Sequence, residues 1–270
     1  MMKQLPLLLA LLALPTFAAP QLTTEIKEGD VWFKAGFNQS DSELELINPN
    51  GGSNMVIDSS SDTFGFSSLA AIKTASDFTP LVGISFETAE GDEEEKVKMF
   101  GASLGFVKKS ASQKNIGMVV NYNHSDNADE SRGYFDISAA FQTSDVLSKN
   151  YNELALIFDI PKDEGGTEGG KSLTVVNNLK ITANDMVDFI ASASLGLTGD
   201  MTLVENDITV DYDPSFGLSG KLAVNLAPQF TLNFGLAKIF GGATYRDRFG
   251  DELDADIEAT LVSINLIGRF

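Results

Sequence analysis

The sequence contains no cysteine, and it has one histidine and one tryptophan in 270 residues. An exported chain without disulfides lacks the covalent cross-links that hold small secreted folds together. It must therefore be stabilised by a sizeable core or by a sheet that closes on itself. The length is sufficient for one large β domain or two small ones.

Long hydrophobic runs and basic clusters are also missing. After residue 18 no apolar run exceeds about half a dozen residues, whereas a transmembrane helix needs ~20, so any passage through a membrane must use strands. Lys and Arg number 19 against 38 Asp and Glu, and the isoelectric point is near 4.3. Because affinity for phosphate backbones rests on clustered Lys and Arg, nucleic acid is excluded as a partner.

The N-terminus has the order of a secretory signal. Lys3 precedes an apolar stretch, Leu5 to Leu14, and small residues Thr16 and Ala18 occupy the positions that a signal peptidase inspects. An N-terminal membrane anchor is the alternative, but the apolar stretch is too short to span a bilayer. We predict a signal peptide over residues 1–18 and a mature domain over 19–270.

The mature chain alternates apolar and small or polar residues with a period of two, as in Val31, Phe33, Ala35 and Phe37. This period is that of a strand with one apolar face. Segments of this kind predict an all-β transmembrane antiparallel barrel of about twelve strands; counts of 10 and 14 stay open, the latter if Met201 to Tyr212 forms a further hairpin. The predicted segments are 31–37, 64–72, 82–86, 100–106, 116–122, 135–141, 154–160, 173–181, 187–197, 216–226, 230–236 and 262–270.

The connections alternate in length, as expected for outer-membrane barrels with short periplasmic turns and longer extracellular loops. Short links fall at 74–79, 108–114, 143–150, 182–186 and 228–229. Long ones fall at 38–61, 88–95, 124–132, 161–170, 198–214 and 241–256. Most of the acidic residues lie in the long loops, so the barrel is predicted to have an acidic extracellular rim and both termini in the periplasm.

The C-terminal residues Leu-Val-Ser-Ile-Asn-Leu-Ile-Gly-Arg-Phe resemble the closing strand of Gram-negative outer-membrane proteins, which alternates apolar residues and ends on an aromatic residue. Phe270 is that residue. Gly268 departs from the pattern, which has an aromatic or aliphatic residue there. The resemblance implies location in the outer membrane, contact with its lipids and lipopolysaccharide, and recognition of Phe270 by the barrel-assembly machinery.

The faces predicted to point inward carry small residues, which leave room for a narrow water-filled pore of porin-like type. A lumen plugged by a loop or by the segment Ala19 to Gly29 is the alternative. Charges predicted to face the lumen are few and of both signs, so a ladder selective for acidic sugars is disfavoured. The pore-lining candidates are Lys34, Asp136, Asp159, Asp188, Lys221 and Arg269; Lys180 has the same parity.

His124 and Ser125 are the leading enzymatic candidates, at the predicted outer end of the fifth strand. They loosely resemble the outer-membrane phospholipase and lipid A deacylase families, in which a serine nucleophile and a histidine base lie two residues apart on one strand face. Here the two residues are adjacent, so a continuous strand points them to opposite faces. A loop histidine at a strand end is the favoured interpretation.

The sequence therefore predicts a small porin-like channel for passive diffusion of small hydrophilic solutes. Carboxylates at the mouth concentrate cations through their summed field, which favours a weak cation preference. The alternatives are a non-conducting surface barrel for adhesion or lipid contact, and a lipid hydrolase using His124. No cofactor, metal or catalytic site is predicted, and the acidic stretches Asp207 to Asp213 and Asp247 to Asp256 are interpreted as solvated loop charge. The oligomeric state and the solute are not defined.

Overall fold

A computed structural model describes residues 23–48, 53–91, 96–109, 114–126, 131–143, 150–161, 167–203 and 207–270. The predicted signal peptide lies outside these ranges. Within them the chain is almost entirely β, with one short 3-10 helix at Thr23–Glu25. No helix in the described ranges is long and apolar enough to cross a membrane.

Fifteen strands follow the 3-10 helix in a single antiparallel sheet. Their bounds are β1 Val31–Leu46, β2 Met55–Ala71, β3 Phe78–Gly91, β4 Lys96–Lys108, β5 Ile116–Asp126, β6 Ser131–Gln142, β7 Asn150–Pro161, β8 Thr167–Gly169, β9 Ser172–Asn184, β10 Val187–Thr198, β11 Met201–Leu203, β12 Ile208–Tyr212, β13 Ser215–Ala227, β14 Phe230–Arg246 and β15 Glu252–Arg269.

Twelve of these strands form a closed ring. Each pairs with the next long strand along the chain, and β1 pairs with β15 to close the barrel. The predicted count of twelve is thus confirmed. The hairpin of β11 and β12 also forms, but it extends the sheet from the end of β14 together with β8 and adds no strand to the ring.

The first residue of β1, Val31, and the last residue, Phe270, meet at one end of the barrel, which we call the terminal end. The amide of Val31 donates to the carbonyl of Phe270 at 2.8 Å, and the amide of Phe270 donates back at 2.9 Å. The short predicted links lie at this end, between β2 and β3, β4 and β5, β6 and β7, β9 and β10, and β13 and β14. The opposite end is called the loop end.

At the loop end the strands are longer than predicted. β1 and β2 cover most of the predicted loop 38–61, and β14 and β15 leave only 247–251 of the predicted loop 241–256. The predicted strands stopped where outward apolar residues stopped, yet the ladder of backbone hydrogen bonds continues with polar side chains facing water on the outside. Side-chain periodicity reports the membrane-facing part of a strand and not its full length.

The outer face of the ring is apolar, as predicted. Leu104 is 66 % exposed and Ile84 is 63 % exposed. Contiguous apolar exposure of this extent is incompatible with a water-facing surface and fits lipid. Other large side chains that share this outward face are Phe37, Phe64, Phe66, Phe100, Phe135, Phe189, Leu195, Leu218, Phe234, Leu236, Val262 and Ile264.

Three apolar clusters of described residues lie on the inside of the sheet. At the terminal end Ile26 is buried among Leu69, Leu81 and Val119. At the loop end Leu44 and Ala255 form one cluster, and Met201, Val210 and Ala243 form another, with Tyr245 and Ile257 contacting both. The β11–β12 hairpin therefore packs apolar side chains against those of β14 and β15 and supports the loop end.

Candidate solute pathway through the barrel

The inner face of the barrel carries small and polar side chains in the positions that the alternation predicts. Ser103 is 3 % exposed and Asn233 is 2 % exposed. The packing is close at some of these positions, since a Cβ added to Gly101 would lie 2.2 Å from the Ser85 hydroxyl oxygen. Small residues on this face therefore both accommodate neighbouring side chains and leave space along the axis.

A cavity of about 320 Å³, here called the central cavity, occupies the middle of the lumen. Three of the pore-lining candidates, Lys34, Asp136 and Lys221, border it. Hydroxyl groups complete much of the wall between the charges. They belong to Ser138, Thr174, Ser192, Ser194 and Ser219.

Lys221 projects from β13 across the inner face of β14. Its register partner is Gly235, and a Cβ there would lie 3.3 Å from Lys221 Cγ. The absence of a side chain at Gly235 therefore gives the lysine stem its place against the wall. Among the described residues the Lys221 ammonium group forms no hydrogen bond or ion pair. Lys34 lies close enough to repel it, because the two side chains carry the same charge.

The carboxylates lie on β6 and β7. Asp136 and Asp159 are directly opposite each other in the antiparallel register, which brings two like charges together on the inner face. Asn121 donates to Asp136 Oδ1 at 2.9 Å, and Ser172 donates to Asp159 Oδ2 at 2.8 Å. Asp136 is 1 % exposed, and its Oδ2 has no hydrogen-bond partner in the described part of the chain.

Two inward carboxylates were missed at the sequence level. Glu87 on β3 is 9 % exposed and interacts electrostatically with Lys34, and Glu153 on β7 is 2 % exposed. Each lies one residue beyond a predicted apolar set, next to Phe86 or Leu154. Extending the alternation by a single residue would have placed both inside the barrel.

A larger cavity of about 970 Å³, the terminal cavity, opens at the terminal end. Asp188 and Arg269, the other pore-lining candidates, line it together with Lys180. The Arg269 guanidinium lies 2.8 Å from Asp30 and 5.2 Å from the Trp32 ring centre. Asp188 accepts a hydrogen bond of 2.6 Å from the Thr182 hydroxyl.

Residues 23–30, here called the N-terminal segment, occupy part of this end of the lumen. Thr24 donates to Glu153 Oε2 through its backbone amide at 2.9 Å and through its hydroxyl at 2.7 Å. Asn115 donates to the Thr24 carbonyl at 2.9 Å. The Thr24 hydroxyl also lies 2.5 Å from the Tyr151 hydroxyl, so the 3-10 helix is held against β5, β6 and β7.

The segment returns to the wall through a tight turn. Gly29 has a φ of +84°, a conformation that glycine adopts without strain. Its amide donates to the Ala71 carbonyl at 2.9 Å, and the Ala71 amide donates to the Asp30 carbonyl at 2.8 Å. Ile26 is 2 % exposed in the core at the terminal end. The described part of the predicted plug, 23–29, therefore narrows the lumen at this end.

The candidate dyad of the lipid hydrolase does not form. β5 runs without a register break past both residues, so His124 and Ser125 point to opposite faces of the strand. Ser125 is 7 % exposed on the inner face, while His124 lies on the outer one. This adjacent pair cannot act as nucleophile and base toward one substrate.

Acidic side chains do not converge on a metal site in the described ranges, where no group of three or more candidate ligands is found. In the second acidic stretch, Asp247 Oδ1 accepts backbone amides of Phe249 and Asp251 at 2.8 Å and 3.0 Å. Asp247 thereby stabilises the turn between β14 and β15. The first stretch begins at Asp207, directly after residues 204–206, which lie outside the described ranges.

The sequence matches no protein-family model. It also has no significant match among curated proteins. Solved structures do match: an outer-membrane channel from Pseudomonas putida F1 has a TM-score of 0.69 at 10 % identity, over 94 % of this chain and 100 % of that one. The translocator domain of autotransporter NalP from Neisseria meningitidis has a TM-score of 0.55 at 13 % identity, over 92 % and 91 %. These likenesses establish the outer-membrane β-barrel fold.

Proposed function

We propose that this barrel is an outer-membrane channel through which small hydrophilic solutes diffuse passively. The observation that carries the proposal is the polar inner face, which surrounds the central cavity inside a closed ring of strands with an apolar outer face. A barrel of purely structural purpose has no need of inward lysines and carboxylates, which are costly to enclose. The Pseudomonas putida protein of similar fold is an outer-membrane channel, which supports the same role.

The lumen selects solutes by size, and charged side chains then bias the selection between anions and cations. Solutes enter at the loop end, pass between the hydroxyl-lined walls of the central cavity and leave through the terminal cavity. The pore-lining role belongs to Lys34, Asp136, Asp159, Asp188, Lys221 and Arg269, with Glu87 and Glu153 added from the structure. Because both signs line the lumen, the lumen itself contributes little to selectivity between anions and cations.

A weak cation preference comes from the loop end. On the outward face of β1, Glu43 lies opposite Asp58 of β2 and Glu258 of β15. Glu258 also pairs with Lys238, so the excess negative charge of this row comes from Glu43 and Asp58. That charge raises the local cation concentration. The barrel is oriented with its loop end toward the cell exterior and its terminal end toward the periplasm. Reaching the outer membrane requires export by the predicted signal peptide.

Closure of the barrel at Phe270 supports assembly in the outer membrane. The Phe270 ring stacks on Phe33 with centroids 5.7 Å apart and contacts Phe230 edge-on at the same distance. The last residue therefore joins the first and last strands at the terminal end. We assign it the role of assembly signal for the barrel-assembly machinery, with lipids and lipopolysaccharide surrounding the finished barrel.

A non-conducting surface barrel is the second candidate, favoured by one observation: the N-terminal segment is held inside the terminal end by several hydrogen bonds and by Ile26. Single-channel recording of the folded mature chain in a planar bilayer, with the reversal potential under a salt gradient, separates the two. Steady open steps with a cation-directed reversal potential are expected. A folded, heat-modifiable barrel that never conducts would overturn the channel.

A further inference from the structure

The central cavity contains two poles of opposite charge, each incompletely satisfied by the protein. The Lys221 ammonium has no hydrogen bond or ion pair among the described residues, and Asp136 Oδ2 has no hydrogen-bond partner there while its side chain is 1 % exposed. Enclosed charged groups are normally paired, because an unpaired one loses its hydration without compensation. Both groups border the same cavity. A ligand that bridges them would satisfy both.

We propose that the central cavity is a binding site for a small zwitterionic solute of the amino-acid class. The inference rests on the proposed function, since it names the solute that the pathway favours. The carboxylate of the solute lies at Lys221, and its ammonium group lies at Asp136. The described residues supply no counter-charge to Lys221, which leaves its ammonium group available to the carboxylate of the solute.

Neighbouring groups strengthen each pole. Lys34 adds a second positive charge near Lys221, although Glu87 offsets it. On the opposite wall Asp159 lies directly across the ladder from Asp136. Repulsion between these two carboxylates is relieved when an ammonium group binds, which makes this wall selective for a cationic donor.

Asparagine side-chain oxygens around the cavity can also accept hydrogen bonds from the ligand. The side-chain oxygens Oδ1 of Asn121, Asn233 and Asn265 are buried without hydrogen-bond partners in the described part of the chain, and all three residues border the cavity. An ammonium group and a side-chain hydroxyl provide such donors. Buried polar atoms of native proteins are rarely left unsatisfied. Water can supply these donors in the unliganded lumen, and a ligand with several N–H or O–H groups can replace that water.

The volume restricts the size of the solute. About 320 Å³ is at the lower end of the roughly 300–1,000 Å³ typical of small-molecule sites. A single amino acid fits with a few waters, whereas a longer peptide does not. An anion alone leaves Asp136 Oδ2 without a partner, and a cation alone leaves the Lys221 ammonium group without one.

The test measures equilibrium binding of L-serine to the full mature chain, folded in detergent micelles, by isothermal titration calorimetry. Glycerol, propionate and propylammonium serve as neutral, anionic and cationic probes of similar size. Serine is expected to bind at least tenfold more tightly than each of the three. Equal binding of serine and glycerol overturns the proposal, and so does propionate or propylammonium binding as tightly as serine.

Variants assign the poles. Lys221→Met and Asp136→Asn are each expected to weaken serine binding at least tenfold, and Asp159→Asn tests the acidic pole again if Asp136→Asn does not fold. If Lys221 and Asp136 had only a structural role, their substitution would weaken the binding of all probes alike. Here Lys221→Met leaves propylammonium binding unchanged, and Asp136→Asn leaves propionate binding unchanged. The exposed substitutions Lys171→Met and Asp77→Asn are matched controls with no effect, and serine binding that survives Lys221→Met rejects the site.

Conductance of the same preparations separates this site from the proposed function. Serine should reduce the open-channel current of the wild-type barrel in a saturable way and should have little effect on Lys221→Met. A barrel that conducts but binds no serine refutes the zwitterion site and retains the channel. A barrel that binds serine but does not conduct retains the site and refutes the channel.

Discussion

Glu25 Oε1 of the N-terminal segment and Lys180 Nζ of β9 lie 2.6 Å apart, joining the segment to the strand next to β7. The side chains are 25 % and 22 % exposed, so the pair is better shielded than a surface ion pair. Together with the bonds of Thr24 to β7, the ion pair holds the segment against one side of the lumen at the terminal end. Part of the proposed exit is thus occupied by the chain that begins the barrel.

Lys180→Met is expected to loosen the N-terminal segment and raise the mean conductance. Loss of a partly shielded ion pair costs about 1 kcal/mol, which shifts the equilibrium for displacement of the segment about fivefold. Single-channel recording measures the change in open probability and step size. Lys96→Met, which removes the exposed pair with Glu90 on the loop end, is the control and should leave both unchanged. Equal conductance of wild type and Lys180→Met would show that the pair does not restrain the segment.

Ile26→Ala is expected to release the same segment more completely. Ile26 is 2 % exposed and packs in the core at the terminal end, and truncation of such a side chain costs about 2–5 kcal/mol. Because the segment precedes β1 and belongs to no strand of the ring, the loss should release it without unfolding the ring. Trypsin cleavage after Lys27 should become faster and the conductance should rise. Leu226→Ala, at an exposed position of the same end, should change neither, and unaltered cleavage in Ile26→Ala would contradict the packing.

The ring of strands could be predicted from sequence because each strand repeats one signal. Alternation such as Phe100, Ala102, Leu104 and Phe106 fixes which face meets lipid, and the terminal-end turns fix the pairing order. The extension of the strands at the loop end could not be predicted in the same way, since polar residues on both faces carry no period. The backbone ladder between β14 and β15 is independent of side chains.

The interior was only partly predictable. Parity placed Lys34, Asp136 and Lys221 on the inner face, where they border one cavity. Parity cannot show which inward groups meet across the lumen, because that depends on the curvature of the closed sheet. Tyr134 and Tyr151 also face inward although tyrosine is common at the membrane edge of barrels, and Tyr151 contacts Thr24. Tyrosine serves both environments equally well, so its identity alone did not decide between them.

Leu104→Arg is expected to destabilise the barrel in a bilayer. Leu104 is 66 % exposed on the outer face in the middle of β4, and an arginine facing lipid near the midplane costs about 2–4 kcal/mol. Reversible urea unfolding in lipid vesicles measures the free energy of unfolding. Asp254→Arg, on the outward face of β15 at the loop end, should cost less than about 1 kcal/mol. Similar losses in both variants would place the bilayer elsewhere on the barrel.

Neutralising carboxylates at the loop end should reduce the cation preference. Glu43 and Asp58 are register partners across β1 and β2, and like charges directly opposite each other are unfavourable. The double substitution Glu43→Gln with Asp58→Asn therefore weakens the negative field without removing a stabilising contact. The reversal potential under a tenfold KCl gradient should move toward zero when the mean salt is near 0.1 M. At 1 M salt the variant and the wild type should agree, because the screening length falls from about 10 Å to about 3 Å.

Asp77→Asn, at the terminal end, is the matched control for this pair of substitutions and should shift the reversal potential far less. The comparison matters because net charge alone predicts that any lost carboxylate reduces cation preference. If the cation preference is set at the loop end, the position of a lost carboxylate decides how far the reversal potential shifts. The salt dependence then shows that the carboxylates act through their field in solvent and not through a contact in the lumen. An equal shift from Asp77→Asn would assign the selectivity to total charge and would remove the loop end from the mechanism.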